Sequence, residues 1–116
     1  VVPADPAEVQ KFMPFLKEKL GDKAVIFISK PYFLEIMPPG CGKGEAVLWL
    51  ADKLGIPHSQ TMAFGDSMND ESMIVQTAFG TAMCNGLRQI QYEAKFVTRF
   101  SNEEDGIADF LETYVF

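Results

Sequence analysis

The sequence predicts an α/β fold in which strands and helices alternate over most of the chain. Three observations support this fold class. Apolar runs of strand length alternate with segments of helical periodicity after residue 38, capping and stop residues bound the helices, and the segments have the lengths typical of parallel strand–helix units. The 47% apolar content over 116 residues is sufficient for a globular core.

The N-terminal third has a different pattern. Residues 5–8 (Asp-Pro-Ala-Glu) form a helix-start signal, and apolar residues at helical spacing continue to Leu20. Pro14 lies inside this helix and predicts a kink. Two apolar strands at 24–29 and 32–37, joined by a tight turn, predict a hairpin.

A Pro-Pro-Gly linker separates this part from the rest, which predicts a division into residues 1–38 and 39–116. The elements predicted after the linker are helices over 43–54, 69–78, 86–93 and 101–114 and strands over 62–64, 79–83 and 96–98. The pattern further predicts an apolar face of Val47, Leu50, Ala51 and Leu54 on the first helix, an Asn85 cap on the third and a capping box at 101–104 on the last.

The segment 62–70 (MAFGDSMND) carries the most chemical information. A short apolar strand ends at Gly65-Asp66, and Asp70 follows in the predicted strand-to-helix turn. Open α/β sheets bind ligands at the carboxyl ends of their strands. Carboxylate oxygens suit Mg²⁺, which takes one or two of them and leaves room for a phosphate. The alternative is an ordinary turn in which Asp70 caps a helix.

Lys43 is the second informative residue, because it stands at the start of a predicted helix. The helix dipole disfavours a cation there, so the position breaks a local rule. An ammonium group beside a helix N-terminus is reasonable where both face an anion such as phosphate. The alternative is a lysine that points into solvent.

Composition excludes several function classes. The net charge of −6 argues against nucleic acid as a partner. No apolar run approaches the roughly 18 residues of a membrane span, and no signal-peptide pattern is visible. Cys41 and Cys84 lack metal-type spacing, so we expect two reduced thiols in a cytoplasmic protein.

These motifs together resemble the C-terminal half of a Cof-type phosphatase of the haloacid dehalogenase-like superfamily. The Lys-Gly helix start, GDxxND, the AM-x-N strand end and the Asn-x-x-Asp-Gly tail occur in the family's order, over essentially the whole chain. The resemblance implies the C-terminal half of a Rossmann-like core over 39–116, preceded over 1–38 by the end of an α/β cap domain.

The resemblance also implies a Mg²⁺-dependent phosphatase that acts on small phosphorylated metabolites. In that interpretation Lys43 neutralises the phosphoryl group and the nucleophilic aspartate. Asp66 binds Mg²⁺, Asp70 supports the metal directly or through water, and Asn69 lies near the phosphate. Unusual residues at Cys41-Gly42 and on either side of Asn85 depart from the family pattern without removing a catalytic group.

The family's nucleophile is missing from this chain. It is an aspartate of a D-x-D motif that forms an aspartyl-phosphate, and no D-x-D occurs here. We therefore expect a fragment of a longer enzyme that is inactive alone. It should either self-associate through the sheet edge where the nucleophile's strand would pair, or be only marginally stable. The alternatives are a non-catalytic module that binds a metal or phospholigand, and a phosphotransferase such as a phosphomutase.

Overall fold

The computed structural model describes all 116 residues of the sequence. The chain forms two compact units, Val1–Gly42 and Lys43–Phe116. Both cysteines are free and exposed, one in each unit. No helix has the length and apolar character needed to cross a membrane.

The first unit packs one helix against a small antiparallel sheet. Its elements are β1 (Val2–Pro3), α1 (Pro6–Leu20), β2 (Val25–Lys30) and β3 (Phe33–Met37), and the strand order is β1-β3-β2. Val9 of α1, Ile26 of β2 and Leu34 of β3 form its buried core. Apolar burial between the helix and the sheet therefore holds this unit together.

Most of the predicted elements of the first unit are confirmed. The Asp5 side chain caps α1 by accepting a hydrogen bond from the Ala7 amide at 2.9 Å, and β2 and β3 form the predicted hairpin. Helix α1 continues through Pro14 as one element, since a single missing amide does not end a helix that packs on a core. Strand β1 is unpredicted, because its two residues are too short for a periodic signal.

The second unit alternates helices with a parallel sheet, which confirms the α/β fold class. Its elements are α2 (Lys43–Leu54), β4 (Met62–Gly65), α3 (Glu71–Gln76), β5 (Phe79–Ala82), α4 (Arg88–Glu93), β6 (Phe96–Val97) and α5 (Gly106–Tyr114). The sheet has the order β4-β5-β6, with both pairs parallel, so that β4 is an edge strand.

The two faces of this sheet are covered by different side chains. Ile74, Ala82 and Ile90 form a fully buried cluster that joins α3, β5 and α4. Phe64 and Phe96 lie in the same row of the sheet, on the other face by the alternation of the strands, and both contact Phe110 of α5 with ring centroids 5.5 and 6.0 Å apart. Helix α5 is thereby fixed by an aromatic cluster.

The predicted apolar face of α2 is only partly correct. The helix has the predicted bounds and Ala51 is buried, but Leu50 and Leu54 are 51% and 64% exposed. The buried positions of α2 are Gly44 and Ala51, seven residues apart. The fully buried positions of α2 are therefore small residues, and the leucines of the predicted apolar face are exposed in this chain.

Three helix starts also differ from the prediction. The last helix, α5, begins at Gly106 rather than at 101, because the capping box opens a separate 3₁₀ turn, Asn102–Glu104, and Asp105 then adopts a left-handed conformation. A 3₁₀ turn, Met68–Asp70, precedes α3, which ends at Gln76 because Thr77 adopts an extended conformation. Helix α4 begins at Arg88 rather than Gly86, because residues 83–87 form a tight turn of their own. Asn85 was therefore wrongly predicted as the cap, and its side chain pairs with Asn102 instead.

Candidate functional site

The acidic turn after β4 is closed by Asp70. One oxygen of its carboxylate, Oδ2, accepts hydrogen bonds from the backbone amides of Asp66 at 3.0 Å and Ser67 at 3.3 Å. The turn also requires Gly65, since an added Cβ there would lie 2.5 Å from the Cβ of Asp70. The alternative of a capping role for Asp70 is thus part of the observed geometry, because its carboxylate ties the turn together.

The other oxygen of Asp70 contacts Lys43. The Lys43 ammonium donates to Asp70 Oδ1 at 2.5 Å, across 27 residues of sequence. The Asp70 side chain is 8% exposed and that of Lys43 is 48% exposed. The simple alternative of a lysine that points into solvent is therefore wrong, and Lys43 joins the start of α2 to the acidic turn.

The charge state of Asp70 follows from these contacts. Burial raises the pKa of its carboxyl group, whereas the hydrogen bond from Lys43, the backbone amides of Asp66 and Ser67, and the Coulombic attraction of Lys43 lower it. The stabilising contacts prevail, so the pKa of Asp70 lies below its ordinary value of 3.8. At neutral pH the pair is therefore an ammonium next to a carboxylate.

The first turn of α2 lies against α3, and this contact positions Lys43. The Gly44 amide donates to the Ser72 hydroxyl at 3.0 Å. A Cβ added at Gly44 would lie 2.4 Å from the carbonyl oxygen of Ser72, so the two helices meet where no side chain fits. Sequence reasoning missed this role. A glycine inside a helix, where it costs stability, was the available signal.

Asp66 and Asn69 complete the turn with groups that face solvent. The carboxylate of Asp66 is exposed and makes no hydrogen bond or ion pair in the chain. The Asn69 side chain is partly exposed and likewise makes none. The structure thus brings Lys43 and Asp70 into contact and leaves Asp66 and Asn69 in the same turn with free polar groups.

The donor set of this turn fits Mg²⁺ in chemistry. Mg²⁺ prefers oxygen ligands and is typically held by one or two carboxylates together with water and phosphate. The chain has no cluster of three or more His, Cys, Asp or Glu side chains that would form an all-protein metal site. Asp66 has a free carboxylate, whereas both oxygens of Asp70 are already hydrogen-bonded. Asp66 is therefore the first candidate for direct ligation.

Comparison with known families identifies the fold. The sequence profile of haloacid dehalogenase-like hydrolases matches residues 1–111. The chain belongs to this family. The match extends over both units, and the resemblance noted in the sequence is therefore confirmed.

The individual relatives of this chain match it over only part of their own length. A Streptococcus pyogenes protein with a provisional phosphatase name is 42% identical over 94 residues, 81% of this chain and 35% of that protein. An HMP-PP phosphatase of Yersinia enterocolitica is 35% identical over 101 residues, 86% of this chain and 37% of that protein. The chloroplastic endoribonuclease YBEY of Arabidopsis thaliana is 37% identical over 103 residues, 89% of this chain but 18% of that protein. The chain spans well under half the length of each.

Solved structures of the family share the fold. A HAD/COF-like hydrolase from Plasmodium vivax superposes with a TM-score of 0.86 at 27% identity, over 94% of this chain and 38% of that chain. A subclass IIB sugar phosphatase of the superfamily gives a TM-score of 0.79 at 26% identity, over 97% and 40%. The chain is therefore equivalent to a part of these structures.

Proposed function

We propose that this chain is part of a Mg²⁺-dependent phosphatase that hydrolyses phosphate esters of small metabolites. The observation that carries the proposal is the Lys43–Asp70 ion pair next to the free carboxylate of Asp66, at the carboxyl end of a parallel strand. The relatives named as phosphatases support the same activity. The cap and core assignments of residues 1–38 and 39–116 belong to this proposal.

The ammonium group of Lys43 would bind the phosphoryl oxygens. About half of its side chain is exposed while its charge is held by Asp70 Oδ1, so it can contact an anion without leaving its position. It lies at the first residue of a twelve-residue helix, whose positive end favours the same anion. Fixed positive charge of this kind stabilises the transition state of phosphoryl transfer.

Asp66 would hold the metal, with Asp70 in support directly or through water, and Asn69 would lie beside the phosphate. When bound, Mg²⁺ would reduce the negative charge on the phosphoryl oxygens. Asp66 is suited to this task because its backbone is hydrogen-bonded on both sides while its carboxylate is free. The nucleophile, an aspartate that forms an aspartyl-phosphate, is expected outside this chain.

We do not extend the ribonuclease name of one relative to this chain. The matched segment is 18% of that relative, and the chain's net charge of −6 disfavours binding to a polyanion. A small phosphorylated metabolite in the cytoplasm remains the proposed substrate.

A panel of phosphate esters, offered to the complete gene product with and without Mg²⁺, tests the proposal. We expect hydrolysis that requires Mg²⁺ and that falls at least about a hundredfold in Asp66→Ala, the scale found for a lost transition-state contact. The matched control is Asp22→Ala, an exposed carboxylate of the first unit, which should keep the wild-type rate.

The other outcomes identify the alternatives. Mg²⁺ or phosphate binding without turnover would favour a non-catalytic binding module. Transfer of the phosphoryl group to a sugar hydroxyl in preference to water would favour a phosphotransferase such as a phosphomutase. Either result would contradict the proposal that the protein is a phosphate-ester hydrolase.

A further inference from the structure

We propose that Gln91 is a positioning residue for Asp66. Its side-chain amide holds the loop 83–87, and that loop in turn fixes the backbone of Asp66. The inference rests on the proposed function, in which Asp66 binds Mg²⁺. It adds a residue that lies 25 positions away in sequence and does not itself contact the metal.

Gln91 binds two carbonyl groups of the loop at once. Its Nε2 donates to the carbonyl oxygens of Cys84 and Gly86, both at 3.0 Å. A primary amide has two N–H groups, so the nitrogen of Gln91 is fully used by this loop. The backbone of the same residue also donates to the Leu87 carbonyl at 3.1 Å, which fixes the start of α4 against the loop.

The backbone of the loop packs directly against the backbone of Asp66. The Leu87 amide donates to the Asp66 carbonyl oxygen at 2.8 Å. A Cβ added at Gly86 would lie 2.9 Å from both the Cα and the carbonyl oxygen of Asp66. Because Asp70 Oδ2 binds the Asp66 amide on the other side, both backbone polar groups of Asp66 are held and only its carboxylate is free.

The remaining contacts of the loop hold its first residues and the Asn85 side chain, which pairs with Asn102, while the Gly86 amide donates to the Met83 carbonyl. The Met83 amide donates to the Gly65 carbonyl and the Cys84 amide to the Thr98 hydroxyl, which fixes the point where the loop leaves the sheet. Gln91 is the side chain that holds the carbonyl groups further on. Without its amide those carbonyls would turn to water, and the Leu87–Asp66 hydrogen bond would lose its support.

Variants of Gln91 separate hydrogen bonding from packing. Gln91→Glu keeps the shape and replaces the donor with an acceptor, and Gln91→Met keeps the length without a donor. The matched control is Gln89→Met on the same helix, whose exposed side chain hydrogen-bonds to Glu93 at 3.5 Å and not to the loop. Two measurements on the complete gene product are needed: Mg²⁺ affinity by calorimetry, and hydrogen exchange of the peptide that contains Leu87, without metal.

We expect both Gln91 variants to bind Mg²⁺ about threefold to tenfold more weakly, below the 10- to 100-fold of a residue that touches a metal ligand directly. The Leu87 peptide should exchange faster in both variants and remain protected in Gln89→Met. Wild-type affinity or wild-type exchange in Gln91→Glu would overturn the inference. A wild-type protein whose Mg²⁺ binding equals that of Asp66→Ala would instead overturn the proposed function.

Discussion

At the residue scale, Lys43 and Asp70 form an ion pair whose two members differ in exposure. A buried carboxylate is costly without a partner, and Lys43 together with two backbone amides supplies that compensation. The Lys43 side chain as a whole remains about half exposed. The same pair can therefore stabilise the fold and present positive charge to a ligand.

Replacing Lys43 tests both roles. Lys43→Met leaves the buried Asp70 without its ammonium, so the free energy of unfolding at pH 7 should fall by about 1–2 kcal/mol, since exposure of the lysine screens part of the interaction. The rate of phosphate-ester hydrolysis should also fall. Expressed as a change in activation free energy, that loss should exceed the loss in the free energy of unfolding. Urea unfolding and steady-state rates of the complete gene product measure the two effects.

Lys53→Met is the control for this substitution, because Lys53 is an exposed lysine of the same helix that lies over the Trp49 ring, 5.6 Å from its centroid. It should change stability by no more than about 0.5 kcal/mol and leave the rate unchanged. Equal effects of the two substitutions would contradict a special role for Lys43.

The lowered pKa of Asp70 predicts a specific loss of stability in acid. Because the pKa is lower in the folded state than the ordinary 3.8, the unfolded state binds the proton more tightly. The contribution of the charged form is fully present well above pH 3.8 and is lost as the pH falls below 3.8 through the folded pKa. Asp70→Asn should therefore show a weaker decline of unfolding free energy in this range, measured by urea titration without metal.

Asp22→Asn provides the comparison for the acid titration. Its side chain is exposed and makes no hydrogen bond or ion pair, so it should keep the wild-type pH dependence. A pH dependence in Asp70→Asn as steep as that of the wild type would show that Asp70 is not responsible.

At the element scale, the close approach of α2 to α3 determines where Lys43 lies. Gly44→Ala should lower the free energy of unfolding by about 1–3 kcal/mol through overpacking, because the added Cβ would lie 2.4 Å from a backbone oxygen of Ser72. Alanine is the better helix former by up to about 1 kcal/mol, so helix propensity alone predicts that Gly44→Ala raises the free energy of unfolding. A decrease would therefore be evidence for the close contact. Thermal unfolding of the two proteins measures the difference.

The opposite substitution in the same helix is the control for Gly44. Ala46→Gly, at an exposed position, should cost no more than about 1 kcal/mol and should leave phosphate-ester hydrolysis intact. If Gly44→Ala raised stability, the helices would have room to move apart, and the proposed positioning of Lys43 would be wrong.

How much was predictable depends on the range of the interaction. The bounds of α2 and the presence of a capping box at Ser101 and Glu104 were predicted correctly, because periodicity and capping are local in sequence, although the box opens a 3₁₀ turn and not α5 itself. The Gly44–Ser72 contact was not, because it joins two helices whose approach depends on tertiary packing. The hydrogen bonds of Gln91 span only five and seven residues, but they depend on the conformation of the loop 83–87, which has no periodic signal in the sequence. The family's motif order placed Lys43, Asp66 and Asp70 in one site, whereas their hydrogen bonds required the structure.

At the scale of the whole molecule, the three-stranded parallel sheet leaves β4 unpaired on one side. We expect the isolated chain of 116 residues to self-associate through this edge, because an unpaired strand is a template for another. Met62→Lys, a charge on β4, should shift the chain toward monomer in sedimentation velocity.

Val75→Lys is the control for the edge, because it adds the same charge at a 53% exposed apolar position of α3, away from the strand edge. It should leave the association unchanged. A wild-type chain that sediments as a monomer would contradict the proposal, as would equal effects of the two lysines.

The isolated chain should also lack phosphatase turnover, because the proposed mechanism needs a nucleophilic aspartate that it does not contain. The chain should nevertheless bind Mg²⁺ through the acidic turn, and Asp66→Ala should abolish that binding. Ester hydrolysis by the purified chain, measured as released phosphate, would contradict the proposal that the nucleophile lies outside this chain.

The two free thiols offer a direct way to study motion in this protein. Cys41 and Cys84 are exposed and lie in different units, and no other cysteine competes for a reagent within the chain. A mixture of donor and acceptor maleimides would label both thiols without any engineered cysteine, and part of the product would carry one dye of each kind. Energy transfer between the dyes would then measure the distance between the two labelled positions, with and without ligand.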